Sequence, residues 1–496
     1  MGNLFDSVGG VWSKAARWCS HFLETPGKRW ASAALLVFSI VLLTSSYIYW
    51  TDVRAITGTF LFKTSTSSSS RAAPNKPPVK VDYPLKCINE ALTLTCPTNY
   101  PVKYESKASS LAVACPEYFR WIREDLRPWR DTGITRKMVE TGNKYGDLRL
   151  VIVKGKAYVK MYRRSFQTRD VFTVWGILQL LRLYPGKVPD LELLFACGDR
   201  PVVKKRDYQW PHGTYAPPVF HYCVDDESLD IPFPDWSFWG WGEINIRPWG
   251  TMLWGLREAN KRIKWKNRKP YAFWKGNPST SGRRADLMKC NVSDKQDWNA
   301  RVYAQVIFLH HQRGTEPDPL KYRRVLLKRS KIYKTNLYKI FIEGVAWSVS
   351  DKYILGCDSM TLLVKPKYYD FFTRSLVEKK HYWPIKPSNL CRDIKSAVEW
   401  GNNNTDKAQA IGEAASKFIQ EDLKMEFVYD YAYHLLREYA KLMRFTPKIP
   451  PGAVEICSET MACPQNGPWR QFMMESMVRS PKDTLPCTMP SSSSSP

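Results

Sequence analysis

The stretch from Phe341 to Phe372 constrains the fold of this chain more than any other. A short apolar strand runs into Glu343-Gly344, a helix is expected to begin there, and a second apolar run, Met360–Val364, comes soon after. Neighbouring parallel strands are joined by a crossover, usually a helix, so such a unit predicts an α/β fold with a parallel sheet. In open parallel sheets ligands sit where strand ends meet helix starts. The first helical turn carries free N–H groups and partial positive charge, which suits a phosphate. Glu343 is then placed to accept hydrogen bonds from ribose hydroxyls, and Ser348 and Lys352 to face a diphosphate. The plainer alternative is a capping Glu and a solvated Lys.

A second stretch bears on where the chain resides. Residues 31–50 hold no charge and are rich in Leu, Val and Ile. Twenty helical residues span roughly 30 Å, one bilayer core. Trp30, Tyr47, Tyr49 and Trp50 lie at the ends, as interfacial aromatics do. Lys14, Arg17, Lys28 and Arg29 precede the span and favour a cytoplasmic N-terminus, which makes the chain beyond residue 50 lumenal. Eleven of the 12 cysteines lie beyond the span at spacings that fit no zinc template, which predicts a disulfide framework in an oxidising lumen. The odd number leaves at least one thiol without a partner in this set. Asn291-Val292-Ser293 and Asn403-Asn404-Thr405 are glycosylation sequons, so Asn291 and Asn403 are candidate acceptors.

The expected organisation is a cytoplasmic tail over 1–30, a transmembrane signal-anchor over 31–50 and a Ser/Pro-rich stem over 51–84. Two Rossmann-like domains facing a cleft come next, 85–265 and 266–445, and then a Cys/Pro/Ser-rich tail over 446–496. Leu148–Met161 predicts a hairpin around Lys154-Gly155-Lys156, and Leu191–Cys197 a buried strand ending at a tight turn. Tyr271–Trp274 predicts a short strand, with a helix from about Arg283. Thr405–Phe445 repeats apolar residues at helical spacing. Residues 230–254, with Trp236, Phe238, Trp239, Trp241, Trp249 and Trp254 among Gly and Pro, predict an irregular aromatic loop.

The net charge of +27 favours polyanionic partners. No zinc finger, RNP motif or basic heptad array is present and the basic residues are scattered, so nucleic acid is not the expected partner. Asp199, after a buried strand, is placed to take a proton from an acceptor hydroxyl; an Asp paired with Arg200 at a turn is the plainer alternative. Gly276, Asn277, Ser279, Thr280, Ser281, Arg283 and Arg284 combine a small-residue turn with Arg forks that match phosphate geometry; a surface loop before a basic helix is the plainer alternative. No Asp-x-Asp triplet occurs, so a manganese-held sugar-nucleotide site has no support; no Gly-x-Ser-x-Gly elbow is present either.

Five strings stand in one order along residues 85–480: Cys115-Pro-Glu-Tyr-Phe119, Phe195-Ala-Cys-Gly-Asp-Arg-Pro201, Pro234-Asp-Trp-Ser-Phe-Trp-Gly-Trp241, Tyr271-Ala-Phe-Trp-Lys-Gly-Asn-Pro278 and the 341–372 block. Together they resemble the KDEL-type, Rumi-like O-glucosyltransferases of glycosyltransferase family 90, in particular their plant membrane-anchored members. The resemblance implies a GT-B-like fold and an inverting, metal-independent transfer from a UDP-sugar, with no metal or other cofactor. It implies Asp199 as general base, with a donor site of Gly276, Asn277, Arg283, Arg284, Tyr338, Glu343, Gly344 and Ser348. It also implies an acceptor-side loop bearing Trp241, Asn245 and Trp249. The implied substrates are UDP-glucose or UDP-xylose and a hydroxyl of a protein or cell-wall polysaccharide. Residence in the Golgi or endoplasmic reticulum membrane, as a single-pass type II protein, is expected from the span. Between Gln305 and Asn336 the chain departs from the family, with a basic insert in place of an acidic aromatic stretch and a Cys. The competing expectation is a membrane-anchored basic polyanion-binding protein or an inactive relative.

Overall fold

The turn Lys154-Gly155 decides the first sheet. Both residues have positive φ, 50° and 75°, the combination that lets a two-residue loop follow the right-handed twist of a hairpin. Strands β1 (Leu148–Val153) and β2 (Lys156–Met161) therefore pair antiparallel, with Val153 opposite Lys156. Strand β3 (Leu191–Phe195) adds antiparallel to β1. Only β4 (Val219–His221) and β5 (Ile231–Pro232) continue parallel to β3. The Rossmann-like first half expected from the sequence is thus corrected to a mixed sheet, because the hairpin cannot join parallel strands. Helix α1 (Arg169–Leu183) connects β2 to β3 and is buried along almost its whole length.

These elements belong to a computed structural model that describes residues 83–87, 96, 103–104, 113–208, 215–305 and 336–490. The expected tail, transmembrane span and most of the stem lie outside the described residues, as does the basic insert 306–335. Among the described residues no helix is long and apolar enough to cross a membrane.

The second sheet fits the α/β expectation. Strands β6 (Lys269–Gly276), β7 (Ala300–Ala304), β8 (Asn336–Phe341), β9 (Met360–Val364) and β10 (Trp383–Ile385) are all parallel, in the order β10-β9-β8-β6-β7. By chain position this is the doubly wound order 2-1-3-4-5, whose switch point lies between its first and third strands. Here those are β6 and β8. Strands β8 and β9 are buried at every position, as central strands covered on both faces are.

Helices α2 (Trp249–Arg262), α3 (Gly282–Met288), α4 (Asp351–Leu355), α5 (Leu390–Asn403) and α6 (Thr405–Lys417) succeed one another in chain order. Helix α5 buries Leu390, Ile394, Ala397, Val398 and Gly401, one stripe at helical spacing, against the core of the second sheet. Helix α7 (Met425–Leu442) crosses back to the first half. Its Tyr439 hydroxyl donates to the Glu192 carbonyl of β3 at 2.9 Å, and Asp430 accepts from Tyr184 at the end of α1. The boundary expected at 445 is therefore corrected, since α7 shares the first core.

Residues 446–490 are not a loose tail. Strand β11 (Val454–Ile456) extends the first sheet beside β2, and α8 (Ser458–Ala462) and α9 (Gly467–Ser476) come after it. Disulfides Cys87–Cys463, Cys96–Cys457 and Cys115–Cys487 tie this end to the start of the folded part, and Cys290–Cys391 joins α5 to the segment after α3. The expected disulfide framework is borne out. Cys197, Cys223 and Cys357 are buried thiols.

Candidate active site

The switch point of the second sheet gathers most of the expected donor residues. Gly276 ends β6, and a Cβ there would lie 2.5 Å from the Trp274 ring, so the strand can end this close to the indole only as glycine. Asn277 caps the short turn after it, its Oδ1 accepting from Ser279 N at 2.9 Å. Ser281 caps α3 and donates its hydroxyl to the Glu343 carbonyl at 3.2 Å. Arg284, on the first turn of α3, reaches across to the end of β8. Its Nε donates to Glu343 O at 2.9 Å and Nη2 to Ile342 O at 3.1 Å, while Nη1 meets Thr280 Oγ1 at 3.1 Å. A Cβ on Gly344 would sit 3.4 Å from the same Nη2, and Ser348 Oγ lies 3.5 Å from it. Gly276, Asn277, Arg283, Arg284, Glu343, Gly344 and Ser348 are thus brought together.

The expected helix at Gly344 does not form. Residues 344–346 bend and 349–350 turn, with no helix between them, and α4 begins only at Asp351. The Ser348 and Ser350 hydroxyls pair with each other at 2.9 Å, and short hydroxyl side chains offer the backbone alternatives to helix. The positive charge beside the end of β8 is therefore that of the Arg283 and Arg284 guanidiniums and not of a helix starting at Gly344.

Glu343 is more structural than expected. Its Oε1 accepts from Lys367 N at 2.8 Å and Tyr368 N at 2.7 Å, and its Oε2 faces Arg283 Nη1 at 3.4 Å. Burial raises its pKa above the ordinary carboxylate value, against the lowering pull of those N–H groups and of Arg283. The segment it pins continues into Tyr369, which pairs with Val224 of the first half through two backbone hydrogen bonds of 2.9 and 3.0 Å.

Two expected site residues are corrected. Tyr338 is wholly buried in β8, donates to Asn402 Oδ1 at 2.8 Å, and packs where a Cβ on Gly401 of α5 would come within 2.6 Å of its ring. It is a core residue, because a central parallel strand has no solvent face. Trp249 is buried at the start of α2, its indole donating to Leu423 O at 2.7 Å. Lys352, expected to face a diphosphate, is also buried and ion-paired with Asp235 at 3.0 Å.

On the opposite wall Asp199 comes after β3 in a turn whose Cys197 N donates to Asp147 Oδ2 at 2.7 Å. Its carboxylate is 44% exposed and its partner is not Arg200 but Arg169, at 3.1 Å. Arg200 instead donates to Val345 O at 3.3 Å, which brings the Asp199 turn against the loop after β8. Behind the turn, Trp347 of that loop touches Trp236, Tyr222 and His221 with ring centroids 6.0, 5.7 and 6.2 Å apart. His221 has no exposure and its pKa is lowered to about 3, mainly by burial. Trp241 lies 4.8 Å from Trp236 and donates to Gln167 Oε1 at 2.8 Å; Asn245 closes the same loop with φ 52°. Trp241 is thus linked to Asp199 through Trp236 and Arg169, whose Cζ lies 4.6 Å from the Trp236 ring. Arg169 and Trp236 were not singled out from the sequence as site residues, since an Arg at a helix start and one Trp of 20 carry no local signal. Asn403 is exposed at the end of α5; Asn291 is half-buried and its Oδ1 accepts from Val302 N at 3.0 Å.

Comparison with known proteins bears out the family resemblance. Residues 110–496 match the profile described as Glycosyl transferase family 90. The chain is 30% identical over 342 residues to protein O-glucosyltransferase 1 of Bos taurus, covering 67% of this chain and 81% of that protein. It is 25% identical over 353 residues to the O-glucosyltransferase rumi homolog of Aedes aegypti, covering 68% and 80%. The solved structure of Anabaena HepE in complex with UDP overlaps 38% of this chain and 55% of its own at 7% identity and TM-score 0.24, too slight a likeness to bear on the fold.

Proposed function

We propose, from the premise that this chain belongs to glycosyl transferase family 90, that it moves glucose from UDP-glucose to a hydroxyl of a protein acceptor with inversion at the sugar carbon. The names of its relatives, rumi and protein O-glucosyltransferase, supply the sugar and the acceptor class. UDP-xylose and a cell-wall glycan are the competing donor and acceptor.

The observation that carries the reading is the arrangement of charge. Two guanidiniums stand at the switch point of a parallel sheet, and a half-exposed carboxylate stands on the turn that touches the same loop. In the proposed step the acceptor hydroxyl gives its proton to Asp199 as its oxygen attacks the sugar carbon. The bond from that carbon to the diphosphate breaks, and the electron pair leaves on the UDP oxygen. Arg283, 42% exposed, stabilises the departing diphosphate by charge-assisted hydrogen bonds, and Arg284, whose N–H groups hold the end of β8, adds its positive charge. A divalent metal is not required by this reading, and activity is expected to persist in EDTA.

Secretory-pathway residence, in the Golgi or endoplasmic reticulum with 31–50 as anchor, is supported by the disulfides and by the exposed sequon at Asn403. The test is Asp199→Asn in the full-length protein in detergent. UDP should still raise the melting temperature while transfer and donor hydrolysis are lost. Retained turnover would sink the assignment. A screen of several UDP-sugars in the same assay identifies the donor.

A further inference from the structure

The turn Ser165–Arg169 joins the candidate base to the acceptor-side loop, and its last residue is built in an unusual way. Arg169 is nearly buried, its side chain 6% exposed against 44% for the Asp199 carboxylate it holds. Nη2 lies 3.1 Å from Asp199 Oδ1, and Nη1 donates to the carbonyl of Cys197, two residues earlier, at 3.3 Å. One guanidinium thus grips both the base and the backbone of the turn that carries it. Its plane is held by aromatic contacts, with Cζ 4.6 Å from the Trp236 ring and 5.2 Å from the Phe166 ring. Nε is buried with no hydrogen-bond partner, so an unmet donor is tolerated where a Lys or an apolar side chain would avoid it.

The backbone before Arg169 is also constrained. Gln167 has φ 59°, a conformation a non-glycine residue adopts only when its surroundings enforce it. The enforcing contacts come from the acceptor-side loop: Trp241 Nε1 donates to Gln167 Oε1 at 2.8 Å, and Thr168 Oγ1 donates to Glu243 Oε2 at 2.8 Å. A charge that only satisfied Asp199 would need neither the aromatic clamp nor the link to residues 241–243.

We propose that Arg169 is the positioning residue of the reaction: it holds Asp199 Oδ1, leaves Oδ2 to receive the acceptor proton, and ties the base to the acceptor-side loop through the Gln167–Thr168 turn. This rests on the reading of Asp199 as the base. Arg169 touches neither UDP nor acceptor in this role and acts through Asp199 alone.

The experiment compares Arg169→Met, Arg169→Lys, Asp199→Asn and the double variant Asp199→Asn/Arg169→Met, all in the full-length protein. Misplacing a reacting group by about 1 Å costs about 100-fold, so Arg169→Met should lower kcat by about that factor. KM for the UDP-sugar and the UDP-induced melting shift should stay at wild-type values, which a merely structural role would not allow. Arg169→Lys restores charge but not the fork and should recover part of the loss. Guanidinium ion added to Arg169→Gly should raise its rate. Adding Arg169→Met to Asp199→Asn should cost nothing further, since the two act as a unit. Wild-type kcat in Arg169→Met, or a loss of UDP shift parallel to the loss of rate, would overturn the proposal. Should Arg169→Met not fold, Arg169→Lys decides: wild-type kcat overturns the role and a drop of about tenfold with unchanged KM supports it. Turnover in Asp199→Asn would instead overturn the base assignment beneath it.

Discussion

Lys352→Met probes the buried joint that fixes the loop after β8 against the first half. Lys352 Nζ lies 3.0 Å from Asp235 Oδ2, with side-chain exposures of 0% and 6%. Breaking a buried pair from one side costs about 3–5 kcal/mol, because the remaining charge stays in a poor solvent. Asp235 keeps the Ser237 N–H at 2.8 Å, which offsets part of that cost. Methionine fills the volume of the Lys stem but loses the ammonium contact over Phe238, 4.5 Å from its centroid, worth about 2 kcal/mol when desolvated. Taking about 1 kcal/mol for that kept N–H bond, the expected loss is about 4–6 kcal/mol. At roughly 2 °C per kcal/mol for a large domain, melting falls by about 8–12 °C. Burial pulls the Lys352 pKa down, yet Asp235 and its neighbours more than reverse this, so the ammonium is charged throughout the neutral range and the cost holds there. The assay is urea unfolding followed by tryptophan fluorescence, with Asp235→Asn and the double variant completing the cycle. The double variant should be more stable than Lys352→Met, since it removes the stranded charge. A single-variant cost below about 1 kcal/mol, or a double variant no more stable than Lys352→Met, would refute the reasoning.

Arg283→Ala, which removes the more exposed guanidinium, should weaken UDP binding by about 10–100-fold, the worth of one hydrogen bond to a charged group, read by calorimetry with UDP alone. Glu343→Ala strands the Lys367 and Tyr368 N–H groups and should cost about 2–4 kcal/mol in urea unfolding, with a raised KM for the donor because Arg283 loses its carboxylate partner. His221 has a folded pKa of about 3 against an ordinary 6.5. The unfolded chain therefore takes up the proton first, and stability falls as pH drops from 6.5 towards about 3. His221→Gln should flatten that slope, measured as unfolding free energy against pH.

Much of the second half was legible from local pattern. Met360–Val364 is a strand with the expected bounds, because a short apolar run between turn residues has few other solutions. The Lys154-Gly155 hairpin was legible for the same reason. Gly276, Asn277, Arg283 and Arg284 were expected together because they are close in sequence, and the fold does set them at the end of β6 and the start of α3. Tyr338 and Trp249 were misread because a motif gives a position along the chain and not the direction of a side chain. The helix expected at Gly344 starts only at Asp351, after a segment whose backbone direction the local pattern did not fix.

By itself the sequence determined what short-range chemistry controls: alternating strands and helices in the second half, the hairpin of the first, a carboxylate after a buried strand, cysteines enough for a framework, and the family. The tertiary structure alone decided that the chain's end returns to the first sheet through three disulfides, that Glu343 is spent on pinning the 367–368 backbone and Lys352 on pairing with Asp235 of the first half, and that Arg169 rather than Arg200 grips Asp199. Those contacts join residues tens to hundreds of positions apart. Which charge meets which across such distances is settled by how the elements pack, and packing is a property of the whole folded chain that no local window of residues contains.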